Sequence, residues 1–229
     1  LGVSGAVMQS LTRNPIADPS ILGVNTGASL FVVSGMAFLN FSSASQMIGM
    51  ALLGAALTFL LVYTIGSMGS GRATPIKLAL AGAATSAALS SLVSAVLLPR
   101  TEVMNAFRFW QVGSISGASW DGILSVVPFI GLGMFLALLV APSLNALALG
   151  EEVATGLGVN IGVIRFIGSF SSILLCGATT ALAGPIGFVG LMVPHTVRLL
   201  FGSNISMSLP LSAFGGAVVL VLADVIGRL

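Results

Sequence analysis

Few residues in this sequence can carry chemistry. Among 229 residues there are six carboxylates, eight Lys or Arg, one histidine (His195) and one cysteine (Cys176). One histidine cannot build a multi-histidine metal site. No HExxH, GxSxG or GxxxxGK[ST] pattern occurs, so zinc hydrolysis, an activated serine and a Walker-type phosphate loop have no residues to perform them. Cys176 lies in an apolar run with no second cysteine to pair with, and reads as a small buried apolar side chain. No catalytic, cofactor-binding or metal-binding residue is assigned.

What remains are places where polar residues interrupt apolar sequence. In Thr12-Arg13-Asn14-Pro15-Ile16-Ala17-Asp18-Pro19, Pro15 and Pro19 stop one helix and set the start of the next. Asn14 and Asp18 can bond free backbone groups there, and Ser20 can cap the second helix. A rigid connector and a direct role for Arg13 and its neighbours both stay open. The run from Leu144 to Gly158 reads as two short helices hinged at Gly150. Glu151 and Glu152 open the second, where the helix dipole favours anions. Leu144, Leu147 and Ala148 share one face, Val153 and Leu157 another, with Leu149 between them; such apolar faces suit a partner protein or lipid headgroups.

From Gly184 to Arg198, glycines 184, 187 and 190 allow close backbone approach, and Pro194 frees a carbonyl one turn back that needs another donor. His195 beside it reads as a hydrogen-bonded strut or a proton relay. Asp224 and Arg228 form an i,i+4 pair at the end of the last apolar segment, where they can pair with each other or Arg228 can meet an acidic partner.

The elements that must hold these residues follow from composition. Only 6% of the residues are charged and 56% are apolar, against about 25% charged in an ordinary soluble domain. Mean hydropathy is +1.12. Such a chain cannot cover a water-facing surface, which excludes a soluble enzyme, a disordered tail and a disulfide scaffold. The net charge is only +2, spread too thinly for a nucleic-acid partner. A polytopic all-α membrane bundle is left, because an open sheet would leave backbone groups unpaired in lipid.

Apolar runs fall at about 1–11, 20–38, 46–66, 76–98, 122–141, 161–183, 186–201 and 209–228, eight segments with the first cut short and the seventh brief. The alternating breaks place Arg13, Arg72, Lys77, Arg165 and Arg198 on one side and Arg100, Arg108 and Arg228 on the other. The richer side is then cytoplasmic. Within 76–98, Ala79, Ala83, Ala87, Ser91 and Ala95 recur every four residues beside a row of Gly82, Ser86, Ser90 and Ser94. Such seams suit tight helix packing, and the serine row suits a polar path. Val103, Phe107 and Trp110 fit one face of a short helix in the membrane interface, where Phe109 and Trp120 also lie. A faint echo, Gly5-Ala6 to Pro15-Ile16 against Gly177-Ala178 to Pro185-Ile186, is compatible with an inverted repeat. Leu1 is not an initiator and Leu1 to Leu11 has no basic leader, so the chain reads as an internal piece rather than a signal peptide.

Together these stretches resemble the membrane permeases of bacterial ABC importers for iron-siderophores, haem and vitamin B12, the FecCD/BtuC-like family. The resemblance rests on Gly5-Ala6-Val7-Met8-Gln9 with Thr12 to Pro19, on Leu22-Gly23-Val24-Asn25-Thr26-Gly27-Ala28, on Ala148-Leu149-Gly150-Glu151, on Gly184 to His195 with Arg198, and on Ala223-Asp224 with Arg228. It implies a ten-helix subunit, of which residues 1–229 look like the end of helix two through helix nine. It implies a homo- or heterodimer with a second permease subunit, a cytoplasmic ABC ATPase dimer, an extracytoplasmic substrate-binding protein, and a multi-pass place in the lipid of the bacterial inner membrane.

Residue by residue, the resemblance makes 143–158 the coupling loop, with Ala148, Leu149, Gly150, Glu151, Glu152 and Leu157 docking on the ATPase. Arg228 becomes the residue that meets the binding protein, and Ser86, Ser90, Ser94 and Trp110 candidates for the pathway wall. Arg13, Asn14, Pro15, Asp18, Pro19, Pro194, His195, Arg198 and Asp224 belong to structural motifs. The expected activity is inward transport of a ferric siderophore or related metal chelate by alternating access, with no enzymatic chemistry in this chain. The alternative is an ion-coupled secondary transporter, which would need carboxylates near mid-membrane.

Overall fold

In a computed structural model, residues 1–68, 74–115 and 119–227 are described. Among them the regular structure is helical throughout: α1 (Gly2–Thr12), a 3-10 turn (Pro19–Leu22), α2 (Val24–Phe38), α3 (Ala44–Ser67), α4 (Pro75–Leu97), α5 (Thr101–Val112), α6 (Trp120–Ala148), α7 (Glu151–Gly156), α8 (Ile161–Ala183), α9 (Val189–Phe201) and α10 (Ile205–Ile226). Local chemistry sets several starts. Ser43 and Gln46 form a reciprocal capping box before α3, Thr74 caps α4 with a proline at its first turn, and Asn204 caps α10.

Five helices, α3, α4, α6, α8 and α10, are long and apolar enough to cross a membrane, while α2 and α9 are apolar but shorter. The expected segments and the helices agree in kind and differ by more than two residues at four boundaries, one of them the start of α10 at Ile205 instead of 209. Ser20 does not cap α2; it lies in the 3-10 turn, where its carbonyl accepts from Gly23 N, and α2 begins after Gly23 without a side-chain cap. The segment expected at 186–201 becomes helical only at Val189. The one expected at 122–141 runs on to Ala148, so Leu144 to Ala148 are the last turn of a membrane helix rather than a separate short one. Pro142 forfeits one backbone bond there without ending the helix. At 29 residues, α6 is about 43 Å long, some 13 Å more than a hydrocarbon core of about 30 Å. The excess is taken up by tilt or by turns beyond the hydrocarbon.

The chain forms two units. The first comprises Leu1–Pro19, Gly131–Leu175 and Gly187–Leu229, and the second Ser20–Ile130 with Cys176–Ile186. In the first, α1 packs against α9 and α10, which also pack on each other. Val7, Leu147 and Leu209 are buried there. In the second, α2, α3 and α4 pack pairwise and α5 lies against α2 and α4. Its core gathers Val32, Val33, Phe107, Val126 and Ala178.

Small residues let these helices touch backbone to backbone, as lipid-embedded packing requires. A Cβ on Gly5 would overlap the carbonyl of Gly190, so α1 and α9 meet only because position 5 has no side chain. Gly131 of α6 has open space around it. Gly5→Val is expected to lower stability by about 3 kcal/mol, whereas Gly131→Ala changes it by less than about 1 kcal/mol. Thermal unfolding of the purified protein in detergent measures both, and equal effects would refute this packing.

Candidate functional site

The end of α6 and the short α7 are tethered to the rest of the first unit by several polar bonds. Arg13 follows α1 in the left-handed region (φ 52°), a conformation that turns the chain sharply. Its guanidinium donates from Nε and Nη2 to the Leu147 carbonyl at 3.1 and 2.8 Å. That carbonyl, one of the last four of α6, also accepts from Gly150 N at 3.1 Å. Asn145, shortly before it, accepts from the Ile205 backbone N–H at 2.9 Å and donates to Asn204 and Ser206 at 3.3 Å. The end of α6 is thus bonded to α10 and to the segment after α1.

Gly150 separates α6 from α7 with φ 129° and ψ 150°, a conformation open essentially only to glycine. Glu151 then receives Arg165 of α8 in an ion pair at 2.6 Å. The arginine side chain is 10% exposed and the glutamate 49%, so the pair is shielded on one side only and is stronger than a fully exposed one. Glu151 and Glu152 occupy the first turn of α7. Leu149, Val153 and Leu157 are exposed, while Leu144, Leu147 and Ala154 are buried. The turns that flank Gly150 therefore present apolar side chains outward while their backbone is fastened inward.

A second device closes the break made by Pro194. Proline has no N–H, so the carbonyl of Gly190, four residues back, loses its helical donor. Gln9 of α1 supplies one: its Nε2 donates to Gly190 O at 3.2 Å and to Leu191 O at 3.1 Å. Its Oε1 accepts from Arg198 Nη2. One buried amide thus satisfies the freed carbonyl and anchors a guanidinium of the same helix. The Asp18 carboxylate approaches the site where Gly190 has no side chain, and Asn14 Oδ1 accepts from Ile16 N at 3.0 Å in the Pro15 turn. Pro19 opens the 3-10 turn. His195 is exposed.

The second unit contains a pocket of about 370 Å³ whose wall includes Asn25, Ser29, Ser90, Ser94, Phe107 and Gln111. Thr180 Oγ1 donates to Asn25 Oδ1 at 2.9 Å and Cys176 Sγ lies 3.7 Å from the same oxygen. Two donors on one side of the amide leave its NH2 group for the pocket. Ser94 donates to Ser90 O, a back-bond common for serine in helices.

Of the pathway candidates, Ser90 and Ser94 line this pocket. Ser86 sits next to Gly23, which immediately precedes α2. Trp110 stacks on Phe107 with ring centroids 5.7 Å apart and keeps its indole Nε1 buried with no hydrogen-bond partner among the described residues. Gly184 must be glycine, since a Cβ there would strike the Trp110 carbonyl; this fixes the end of α5 against the end of α8. Ala83, Ala87, Ser91 and Ala95 form an exposed row on α4.

Asp224 lies near the end of α10 rather than at mid-helix, and Arg228 falls outside the described residues, as does Arg72. Gln9, Asn145 and Asn25 fall within stretches quoted from the sequence, but none of them was given a role there. Pro194 announces that a donor is needed without saying which; a lone glutamine in an apolar helix was the available sign.

The model of the FecCD transport family matches residues 1–229. The Fe(3+)-citrate import system permease protein YfmD of Bacillus subtilis is 46% identical over 228 residues, covering 100% of this chain and 67% of that protein. The ferric enterobactin transport system permease protein FepD of Escherichia coli is 42% identical, with 100% of this chain and 68% of that protein covered. A chain from the inward-facing structure of a metal-chelate type ABC transporter superposes with a TM-score of 0.90 at 30% identity, over 100% of this chain and 72% of its own length.

The Gln9 arrangement is open to a double-mutant cycle. Gln9→Leu strands the Gly190 carbonyl and is expected to cost about 2 kcal/mol. Adding Pro194→Ala returns an N–H that can reach that carbonyl, so the double variant should recover roughly half of the loss. Strict additivity of the two substitutions in thermal unfolding would show that Gln9 does not serve this carbonyl.

Proposed function

The chain belongs to the FecCD transport family, and on that premise we propose that it is the membrane permease of an ABC importer that carries a ferric siderophore or a related oxygen-rich iron chelate inward. A separate ATPase drives it, a substrate-binding protein delivers the cargo, and a second permease subunit completes the pathway. The end bearing Arg13, α7 and Arg165 faces the cytoplasm. The observation that carries this reading is the tethering of α6 and α7.

An ATPase that moves on nucleotide binding needs a handle that is apolar outside and rigid inside. Leu149, Val153 and Leu157 form the outer contact. Behind them Arg13 ties the α6 end to the α1 connector, Asn145 ties it to α10, and the Glu151–Arg165 pair ties α7 to α8. Gln9 ties α1 to α9. A push on α7 thus reaches four other helices of its unit through polar bonds, which are directional and resist sliding. Gly150 lets α7 leave the axis of α6 and is the point where displacement enters. Alternating access follows if ATP binding favours one of two arrangements of these helices over the other.

The pocket of the second unit is our candidate for part of the pathway wall. Its serine hydroxyls and amide groups carry no net charge, so they can exchange hydrogen bonds with a chelate rich in oxygen without trapping it. Both named relatives are permeases for such chelates, ferric citrate and ferric enterobactin. The exposed small-residue row of α4 suits close approach by the second permease subunit.

Reconstitution of the full-length permease with its ATPase and binding protein tests this reading. Gly150→Val and Glu151→Lys are expected to lower uptake of ferric chelate at least about tenfold, while ATP hydrolysis persists but no longer responds to loaded binding protein. A factor of ten corresponds to about 1.4 kcal/mol of lost coupling. Ser94→Trp, which fills the pocket, should block uptake and leave ATPase docking intact. Normal uptake by all three variants would overturn the proposal. Arg228→Glu is separately expected to weaken binding-protein docking, and unchanged affinity would remove that role.

A further inference from the structure

A second pocket, of about 270 Å³, lies in the first unit beside the tethered helix ends, with Gln9, Arg13, Ala148, Arg198, Ser203 and Ile205 in its wall. Its chemistry is one-sided. Two guanidinium groups line it and no carboxylate does. Among the described residues neither arginine makes a salt bridge; the ion pair found there is Arg165 with Glu151. Each arginine spends only part of its donor set on protein. Arg13 uses Nε and Nη2 on the carbonyl end of α6, and Arg198 uses Nη2 on Gln9. Nη1 of Arg13, and Nε and Nη1 of Arg198, carry no protein hydrogen bond among the described residues. Ser203 and Ile205 bring the start of α10, the positive end of a 22-residue helix. Asp18 of the same unit lies against Gly190 and is not in the pocket wall.

We propose that Arg13 and Arg198 hold a phosphate group in this pocket, and that its source is the headgroup of an anionic phospholipid. Guanidinium forks match the oxygens of phosphate, and basic recesses between membrane helices on the cytoplasmic side are suited to acidic lipid heads. The surroundings favour a lipid over a free ion. Ile16, next to Pro15 in the wall, is 68% exposed, and Leu199, Leu200 and Phe201, which follow Arg198, are 74%, 70% and 56% exposed. A soluble anion makes no use of these side chains, whereas acyl chains attached to the bound head would cover them. A bound head would also neutralise Arg13 where it caps α6, linking lipid composition to the rigidity of the coupling handle. The proposal rests on the permease reading only for placing this end in the cytoplasmic leaflet; its readout is independent of uptake, so the two can fail separately.

The test is thermal unfolding of the full-length permease in neutral detergent, with added phosphatidylglycerol, phosphatidylcholine or inorganic phosphate. Each variant is compared with its own lipid-free baseline. Phosphatidylglycerol is expected to raise the melting temperature by about 5 °C at saturation and phosphatidylcholine to leave it unchanged. Arg198→Gln should abolish most of that increment. Because it also frees Gln9 and can weaken folding, Ser203→Glu serves as the second variant: it leaves both arginines and their protein bonds in place, sets a negative charge at the pocket, and should reduce the apparent lipid affinity at least about tenfold. An equal rise with inorganic phosphate alone would overturn the lipid source. Equal response to both lipids, or an unchanged phosphatidylglycerol shift in Ser203→Glu and Arg198→Gln together, would overturn the pocket. If no lipid or phosphate shift occurs and Arg198→Gln instead weakens ATPase binding, the occupant is an acidic group of the ATPase and the proposal fails.

Discussion

A backbone carbonyl or amide left without a partner in hydrocarbon costs several kcal/mol, and the structure is organised around avoiding that cost. Helices satisfy most of these groups internally. The exceptions sit where helices end or where proline interrupts them, and at several of these a side chain from elsewhere in sequence bonds the exposed backbone group. Arg13 caps α6, Asn145 serves the first N–H of α10, and Gln9 serves the carbonyl freed by Pro194. These are also the bonds that fasten the helices of the first unit together. Satisfying the backbone and fastening the helices that flank Gly150 are therefore one arrangement.

The same constraint explains where charge is tolerated. With 6% charged residues, each ionic group must be placed where its solvation is replaced. Arg165 gains a carboxylate, while Arg13 and Arg198 gain neutral oxygens and keep further donors in reserve. The second unit handles polarity differently, with serines and amides around a pocket and no charged residue among those that line it. Charged struts suit a part that transmits force, because breaking one leaves a desolvated ion. Neutral hydrogen-bonding groups suit a surface that must release what it binds.

Much of this was legible in the sequence, for a physical reason: in lipid, composition alone forces helices, and prolines, glycines and polar residues mark their ends. The short helix carrying Val103, Phe107 and Trp110 appears as α5, and the glycine at 150 sits where two helices part. Two things were not legible. The continuation of α6 through Pro142 depends on neighbours that hold the helix together despite one missing bond, and a local reading weights the proline more heavily. The partners of freed groups were also hidden. Position 194 declares a vacancy at Gly190, but Gln9 lies 181 residues away in sequence, and only packing of α1 on α9 joins them. That packing depends in turn on Gly5, whose role is the absence of a side chain and leaves no chemical mark.

Glycine contacts and polar struts do different mechanical work. A backbone contact such as Gly5 on Gly190 allows helices to approach but does not fix their register along the axis, since dispersion changes little when two smooth surfaces slide. A hydrogen bond at 3.1 Å does fix it, because its strength falls steeply with misalignment. The first unit has both kinds at one crossing, where Gln9 lies four residues, about one turn, beyond Gly5 on α1. The glycine brings the helices together and the amide locks their register. Under the proposed coupling, a displacement applied at α7 would move the unit's helices in concert instead of being lost as slip between them. A smooth interface of small residues alone would lack this property, so the polar interruptions of an otherwise apolar sequence are where its mechanics reside.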